Sequence, residues 1–191
     1  MRHLARVAFF LSGVAGLTFE IVWMRSLSLA LGGTTLAIAT TTAAYMGGLA
    51  LGSHLAGRFA DRLRRSLAVY GAIEISIALV GIAIPMLAQH VSWFDAVMVS
   101  ADEGMTRAML RFVVAAILLG IPTTAMGMTL PILASAVATD IRRVGRDVGS
   151  LYTINIAGAA LGAALAGFYW IPNYGHRATN TIAVVLAALL G

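Results

Sequence analysis

The sequence predicts an all-α integral membrane protein with six transmembrane helices, and three observations support this fold class. Apolar residues make up 60% of the 191 residues and charged residues only 11%, against roughly 25% charged residues in an ordinary soluble domain. The mean hydropathy of the chain is +0.89. Six segments approach the length of about 20 apolar residues that a helix needs to cross the hydrocarbon core, and the loops between them alternate in charge.

The six predicted helices belong to one domain that covers residues 1–191. Their approximate spans are residues 7–29, 34–57, 66–89, 106–138, 149–171 and 174–191. The fourth span contains Pro122 and Pro131, which predict an interruption because proline removes a backbone donor and clashes with the preceding turn. An interrupted helix is either a binding site or only a kink, and the sequence leaves both alternatives open.

The charges of the loops predict the orientation of the helices. The loops between the second and third spans and between the fourth and fifth spans are basic, with Arg58, Arg62, Arg64, Arg65, Arg142, Arg143 and Arg146. The loop between the third and fourth spans is acidic, with Asp95, Asp102 and Glu103. Because cytoplasmic loops carry the excess of basic residues, we expect both termini in the cytoplasm. An aromatic belt is then expected at the outer face, formed by Trp93, Phe94, Tyr169, Trp170 and Tyr174.

An internal repeat relates the two halves of the chain. Residues 48–57 in the second span read GLALGSHLAG, and residues 158–167 in the fifth span read GAALGAALAG, with identity at seven of ten positions. The two copies lie three helices apart, so they cross the membrane in opposite directions. This is the arrangement of an inverted three-plus-three repeat.

Both copies of the repeat carry glycines four positions apart. Small side chains at this spacing let another helix approach the backbone closely inside lipid. We therefore predict that Gly48, Gly52, Gly158 and Gly162 form a pairing surface, for a second copy of the chain or for a partner subunit. Close packing within one chain is the alternative use of the same glycines.

Four charged residues lie within apolar spans, namely Glu20, Arg25, Glu74 and Arg111, of which Arg25 is close enough to the outer surface to reach it. A charged side chain that faces lipid is costly, so each of the other three is expected to face the interior of the bundle or a partner. The helical rise places Glu20 and Arg111 at similar heights. They are therefore either a structural pair between the first and fourth spans, or an acid and its counter-charge in a polar cavity. Glu74 has no basic residue at its height, which favours an ion-linked or proton-linked role.

Two polar residues, Tyr45 in the second span and Asn155 in the fifth, are further candidates for a solute pathway. Each has an alternative role, because a polar side chain in a membrane helix commonly forms a hydrogen bond to a neighbouring helix. For these two residues the sequence favours the structural role, and a solute-facing role is the second possibility.

The sequence also excludes several kinds of site. The chain has no cysteine, which excludes disulfides, thiolate metal sites and thiol nucleophiles. It has no nucleophile elbow, no metal-spaced histidine set and no phosphate-binding loop, so we expect no catalytic residue, no metal and no cofactor. The arginines separate apolar segments, which indicates topology signals and contact with the anionic headgroups of the bilayer, and no nucleic-acid partner is expected.

The segment GRFADRLRR at residues 57–65 resembles the cytoplasmic signature between the second and third helices of the major facilitator superfamily. Gly57, Asp61, Arg62 and Arg65 fit that signature, whereas Arg64 stands where a second glycine is usual.

Four segments resemble the membrane region of the fused facilitator/spermidine-synthase-like proteins. In chain order they read FLSGVAGLTFEIVWMRSLSLALGGTT, MGGLALGSHLAGRFADR, PTTAMGMTLPILA and VGSLYTINIAGAALGAALAGF. The resemblance covers nearly the whole chain and implies a membrane domain shaped like half of a facilitator transporter. In that family a soluble aminopropyltransferase-like domain commonly follows. Gly191 stands where that domain would begin, so the resemblance transfers no synthase active-site residue.

These inferences lead to two hypotheses about function. The first is a paired half-transporter, expected as a homodimer, for a small polar or cationic solute that the resemblance implies is polyamine-like. The second is a non-catalytic membrane anchor or scaffold subunit for a spermidine-synthase-like (aminopropyltransferase) partner or a larger membrane complex. No constellation of residues supports an enzyme. Under either hypothesis we expect the chain in a bacterial inner membrane.

Overall fold

The computed structural model describes residues 2–31, 33–97, 105–137, 142 and 144–191. Its α-helices are α1 Arg2–Ala30, α2 Thr35–Phe59, α3 Ser66–Val97, α4 Met105–Val137, α5 Val144–Ala164 and α6 Ile171–Leu190. A 3-10 turn, Ala60–Arg62, follows α2, and a π-helical segment, Leu165–Trp170, joins α5 to α6. These ranges contain no β-strand, so the described chain has the all-α architecture that the sequence predicts.

Four helical stretches are long and apolar enough to cross a membrane, as judged by length and composition. They are His3–Ala30, Ser66–Ala88, Met109–Val137 and Val144–Leu190. These stretches indicate a polytopic membrane protein. Helix α2 is not among them, although the sequence predicts a span at residues 34–57. A run of threonines, Thr40 to Thr42, and four glycines lower the hydropathy of α2.

The stretch Val144–Leu190 contains 47 residues, which corresponds to about 70 Å of helix. That length is more than twice the hydrocarbon thickness of about 30 Å. The stretch is divided at Gly175, where the backbone leaves the helical conformation with φ 77° and ψ 174°. Glycine adopts a positive φ without steric cost, so Gly175 forms a corner within the first turns of α6, between the run that begins with α5 and the rest of α6.

Helix α4 runs without interruption through Pro122 and Pro131. The break that the two prolines predict therefore does not occur in the structure. Membrane helices tolerate proline where neighbouring helices and hydroxyl side chains compensate the lost backbone hydrogen bond. Thr123 and Thr129 donate hydroxyl bonds within α4 to the carbonyl oxygens of Leu119 and Met126, at 2.6 and 2.7 Å. These carbonyls adjoin those of Leu118 and Gly127, which the prolines leave without their usual donors.

The closest helix pairs are α2 with α4 and α5 with α1. Along the second pair, Gly158 lies against Phe10 and Gly162 lies against Val14. Because the order of contacts is the same on both helices, α1 and α5 are parallel. The same reasoning makes α2 parallel to α4, since Gly48 lies against Thr123 and Gly52, one turn later, lies against Gly127.

Helices α3 and α6 are antiparallel. Gly71 near the start of α3 lies beside Gly191, and Gly81 further along α3 lies beside Val184. Gly81 also lies beside Phe19 of α1. Ser135 near the end of α4 donates to the hydroxyl of Ser66 at the start of α3, at 3.0 Å, so α3 and α4 are antiparallel as well. The helices thus form two sets that run in opposite directions, one of α1, α3 and α5 and the other of α2, α4 and α6.

Large apolar side chains cover the outside of the bundle as well as its core. Phe168 is 87% exposed and Ile121 is 73% exposed, whereas Phe19, Trp23 and Leu27 are fully buried. Soluble monomers rarely expose large contiguous apolar patches. An apolar exterior around an apolar core is what a helix bundle in lipid requires.

Candidate functional site

A cavity of about 120 Å³ lies inside the bundle, and residues from all six helices line it. Four of the five residues that the sequence proposes for a solute pathway line this cavity. They are Glu20 of α1, Tyr45 of α2, Glu74 of α3 and Asn155 of α5. The helices therefore converge on one polar space, which we call the central cavity.

Glu74 is the most deeply buried acid of the central cavity, with 2% of its surface exposed. Its Oε1 atom is buried and has no hydrogen-bond partner in the described chain. Two hydroxyl side chains lie beside the carboxyl group, Ser12 of α1 and Tyr70 one turn earlier on α3. The Tyr70 hydroxyl is itself buried without a hydrogen bond of normal geometry. A buried polar oxygen that no protein group satisfies is costly, so this end of the cavity is suited to a bound donor.

Glu20 is half-buried in the lining of the central cavity. It interacts electrostatically with Tyr45, which is fully buried on the facing helix. Arg111, which the sequence pairs with Glu20, does not line the central cavity, so the pair stays a prediction. Helical rise gives heights along the membrane normal but not the direction in which each side chain faces.

Tyr45 and Asn155 connect their helices to α1. The Tyr45 hydroxyl lies 3.2 Å from the carbonyl oxygen of Gly16 and 3.3 Å from Sδ of Met126. The side-chain amide of Asn155 donates to the carbonyl oxygen of Phe9 at 2.9 Å. Both residues thus form the interhelix bonds that the sequence favours, and both also border the central cavity.

The lining of the central cavity is acidic. Its described lining contains the carboxyl groups of Glu20 and Glu74 and no arginine or histidine. The walls between them are mainly apolar or hydroxyl-bearing, and include Phe19, Ile77 and Thr129. A small polar space with two acids and apolar walls favours a cation over an anion.

The four glycines of the repeat contact helices of the same chain. A Cβ atom on Gly48 or Gly52 would overlap α4 at Thr123 or Thr124, and the same atom on Gly158 or Gly162 would overlap α1. These are the close approaches that small residues permit. The structure therefore shows the alternative use, packing within one chain, at all four positions.

The signature loop lies outside the central cavity. Gly57, Asp61, Arg62 and Arg65 are all exposed, around the 3-10 turn that follows α2. Four residues of the predicted loops lie outside the described residues, namely Asp102, Glu103, Asp140 and Arg143, and so do the side chains of Trp93, Phe94 and Asp95.

Several lining residues were not found by sequence reasoning, among them Ser12, Phe19 and Thr129. These side chains are small or apolar and carry no charge, so nothing distinguishes them from ordinary membrane-helix residues. Tyr70 could have been found, because residues four positions apart lie on the same face of a helix and Glu74 follows it at that spacing.

Comparison of the chain with protein-family models, with curated proteins and with solved structures gives no match.

Proposed function

We propose that the chain is a six-pass membrane protein built from two inverted three-helix repeats, with the shape of half a facilitator transporter. Residues 48–57 and 158–167 are 110 positions apart, so this offset relates α1 to α4, α2 to α5 and α3 to α6. Under the same relation the α2–α4 pair corresponds to the α5–α1 pair, and these are the two closest pairs of the bundle. The contact of Gly52 with Thr124 corresponds to that of Gly162 with Val14.

The central cavity supports this proposal because its lining is itself paired by the same offset. Each of four residues in the first half has its counterpart in the second half among the lining residues. The pairs are Gly16 with Met126, Phe19 with Thr129, Tyr45 with Asn155, and Ile77 with Ala187. A cavity lined in this way lies on the pseudo-two-fold axis, and the interface between inverted repeats is where secondary transporters bind their substrates.

The chain functions, in this proposal, as a half-transporter for a small cationic solute. The observation that carries the proposal is the presence of two acids, Glu20 and Glu74, in the central cavity. Acidic residues inside membrane helices are rare and commonly mark solute or ion pathways. The polyamine-like solute suggested by the facilitator/synthase resemblance belongs to the same charge class.

Flux into vesicles tests the proposal. The purified chain is reconstituted into liposomes, and uptake of radiolabelled guanidinium and of the terminal diamine diaminobutane is compared with uptake into protein-free liposomes. We expect saturable uptake of at least one cation, and at least tenfold slower uptake by Glu74→Gln, since a neutral amide removes a charge–charge attraction worth several kcal/mol at low effective dielectric. Thr181→Val is the control, because Thr181 is exposed and donates to Arg177 of its own helix.

Uptake equal to that of protein-free liposomes for both cations would overturn the transport proposal. Co-purification of a soluble aminopropyltransferase-like protein with the inactive chain would then favour the anchoring role.

We retain the proposal that two chains pair, but through a different surface from the repeat glycines that the sequence suggests. One copy already encloses the central cavity, so a second copy is not needed to form the site. Because the repeat glycines contact helices of the same chain, a second copy would contact the exposed faces of α2 and α5 instead. These faces carry Met46, Leu51, Ile156 and Leu161. The mass of the chain in lipid nanodiscs measures this directly, with a homodimer as the expected result.

A further inference from the structure

The two acids of the central cavity lie at different heights. Ser12 of α1 lies beside Glu74, and Phe19 of α1 lies beside Gly81, seven residues after Glu74. These two contacts fix the register of α1 against α3. Glu20 therefore stands eight residues beyond the height of Glu74, which is about 12 Å of helix. Both residues line the cavity, and this offset places them toward its opposite ends.

The space between the acids suits a thin, unbranched solute. At the packing density of protein interiors, about 0.75, a cavity of 120 Å³ holds roughly half a dozen carbon and nitrogen atoms. The walls between the two ends are contributed by apolar side chains such as Phe19 and Ile77. An aliphatic chain would lie against these walls, with a polar group at each end.

The charges of the described lining call for two positive groups. A monocation can pair with only one of the two carboxyl groups, whereas a dication can pair with both, and attraction between opposite charges is stronger in a space of low dielectric. At the Glu74 end, the buried Oε1 has no protein partner, so a donor group from the solute would satisfy it.

We propose that the central cavity binds one linear diammonium ion, with one ammonium group at Glu20 and the other at Glu74. This inference rests on the proposed transport of a cation and specifies the class of solute. The ammonium group at Glu74 also reaches the hydroxyl of Ser12. The ammonium at the other end lies near the ring of Tyr45, whose face attracts a cation.

Binding can be measured without transport through Trp23. This residue is fully buried and stacks on Phe19, with ring centroids 4.6 Å apart, and Phe19 lines the cavity. Replacing the other two tryptophans, with Trp93→Phe and Trp170→Phe, leaves Trp23 as the single fluorophore. Its fluorescence is titrated in nanodiscs with terminal diaminopropane, diaminobutane and diaminopentane, and with pentylamine, in which a methyl group replaces one ammonium group of diaminobutane.

We expect diaminobutane or diaminopentane to bind at least tenfold more tightly than pentylamine, because the second ammonium forms a charge-assisted hydrogen bond. Glu20→Gln and Glu74→Gln should each bring this ratio close to one. Glu20→Asp and Glu74→Asp shorten one carboxylate and should move the optimum to a diamine that is one methylene longer, a shift that mere loss of folding cannot produce. Asp61→Asn removes an exposed acid outside the cavity and should leave the ratio unchanged.

Equal binding of diaminobutane and pentylamine by the unmodified chain would overturn the inference. So would an unchanged optimum in both aspartate variants. If guanidinium uptake persists in either case, the transport proposal stands and the diammonium assignment alone fails.

Discussion

Asn180 joins three helices through its side-chain amide. Its Oδ1 accepts the indole N–H of Trp23 at 3.1 Å, and its Nδ2 donates to the carbonyl oxygen of Gly81 at 2.9 Å. Both bonds are buried, and they tie α6 to α1 and to α3. The Gly81 position also has little space, since a Cβ atom there would press on the ring of Phe19. Asn180 therefore fixes the part of the core where α1, α3 and α6 meet.

Replacing this amide gives a prediction at the scale of one residue. Asn180→Leu should lower the free energy of unfolding by about 1 kcal/mol or slightly more, since interhelix hydrogen bonds in membrane proteins contribute about 0.6 kcal/mol on average and up to about 1.7. Thermal unfolding in detergent, followed by tryptophan fluorescence, measures the change. Asn173→Leu is the matched control, because Asn173 is exposed and donates only to Tyr169 of its own helical run. Equal losses in both variants would contradict the role assigned to Asn180.

The acids and polar residues of the cavity show how far single residues can be interpreted from sequence. Glu20, Glu74, Tyr45 and Asn155 are identifiable because polar groups are unusual in apolar spans, and all four meet in one cavity. Arg111 is likewise a charged residue within an apolar span, but it does not line the central cavity. The helices here are apolar around most of their circumference, so the sequence does not define which side of each helix faces inward. Only packing between helices decides this.

Two equivalent helix pairs form the frame of the bundle. In each pair, glycines of one helix touch the backbone of the other, as Gly52 does with Thr124 and Gly158 with Phe10. The sequence predicts that these glycine faces are packed, because small residues four positions apart have few other uses in lipid. It does not identify the helix that packs on them. A helix of another chain and a helix of the same chain require the same small residues for close packing.

Neighbouring glycines in α2 provide a test at the scale of the element. Gly52→Ala should destabilise the bundle by about 1–3 kcal/mol, the usual effect of overpacking, because the new methyl group overlaps Thr124 of α4. Gly47→Ala should be neutral or stabilising by up to about 1 kcal/mol, since alanine is the better helix former and no atom lies within 4 Å of its Cβ.

Thermal midpoints of the two variants in the same detergent measure this difference. Two further variants repeat the comparison in α5, where Gly158→Ala overlaps Phe10 and Gly149→Ala meets open space. If Gly47→Ala destabilised the bundle as much as Gly52→Ala, the loss of stability could not be attributed to the contact between α2 and α4.

At the scale of the whole molecule, the sequence predicts the number and order of the helices better than their ends. All six predicted spans overlap α-helices, and five of them overlap the stretches that are apolar enough to cross a membrane. The main differences have local causes. The prolines of α4 do not interrupt it, and α5 continues as helix through its π-helical segment to the corner at Gly175. The central cavity could not be predicted, because it depends on six helices meeting at one height.

The directions of the helices combine with the loop charges into a prediction about topology. Since α1, α3 and α5 are parallel to one another and opposed to α2, α4 and α6, the turn after α2 and the start of α5 lie at the same end of the bundle. Both carry arginines, including Arg64 and Arg146, whereas the corner between α5 and α6 lies at the other end. The positive-inside rule then places the arginine end in the cytoplasm.

Because the chain has no cysteine, single introduced cysteines can be labelled without background. Arg64→Cys and Arg146→Cys, both at exposed positions, should react with a membrane-impermeant maleimide only in inside-out vesicles. Asn173→Cys, exposed next to the corner at Gly175, should react only in intact cells. Reaction of the Arg64 and Arg146 positions from opposite sides would be incompatible with the parallel arrangement of α3 and α5, because both helices begin at those loops. The inverted repeat and its axial cavity require that common starting side, so the labelling pattern tests the geometry on which the solute site depends.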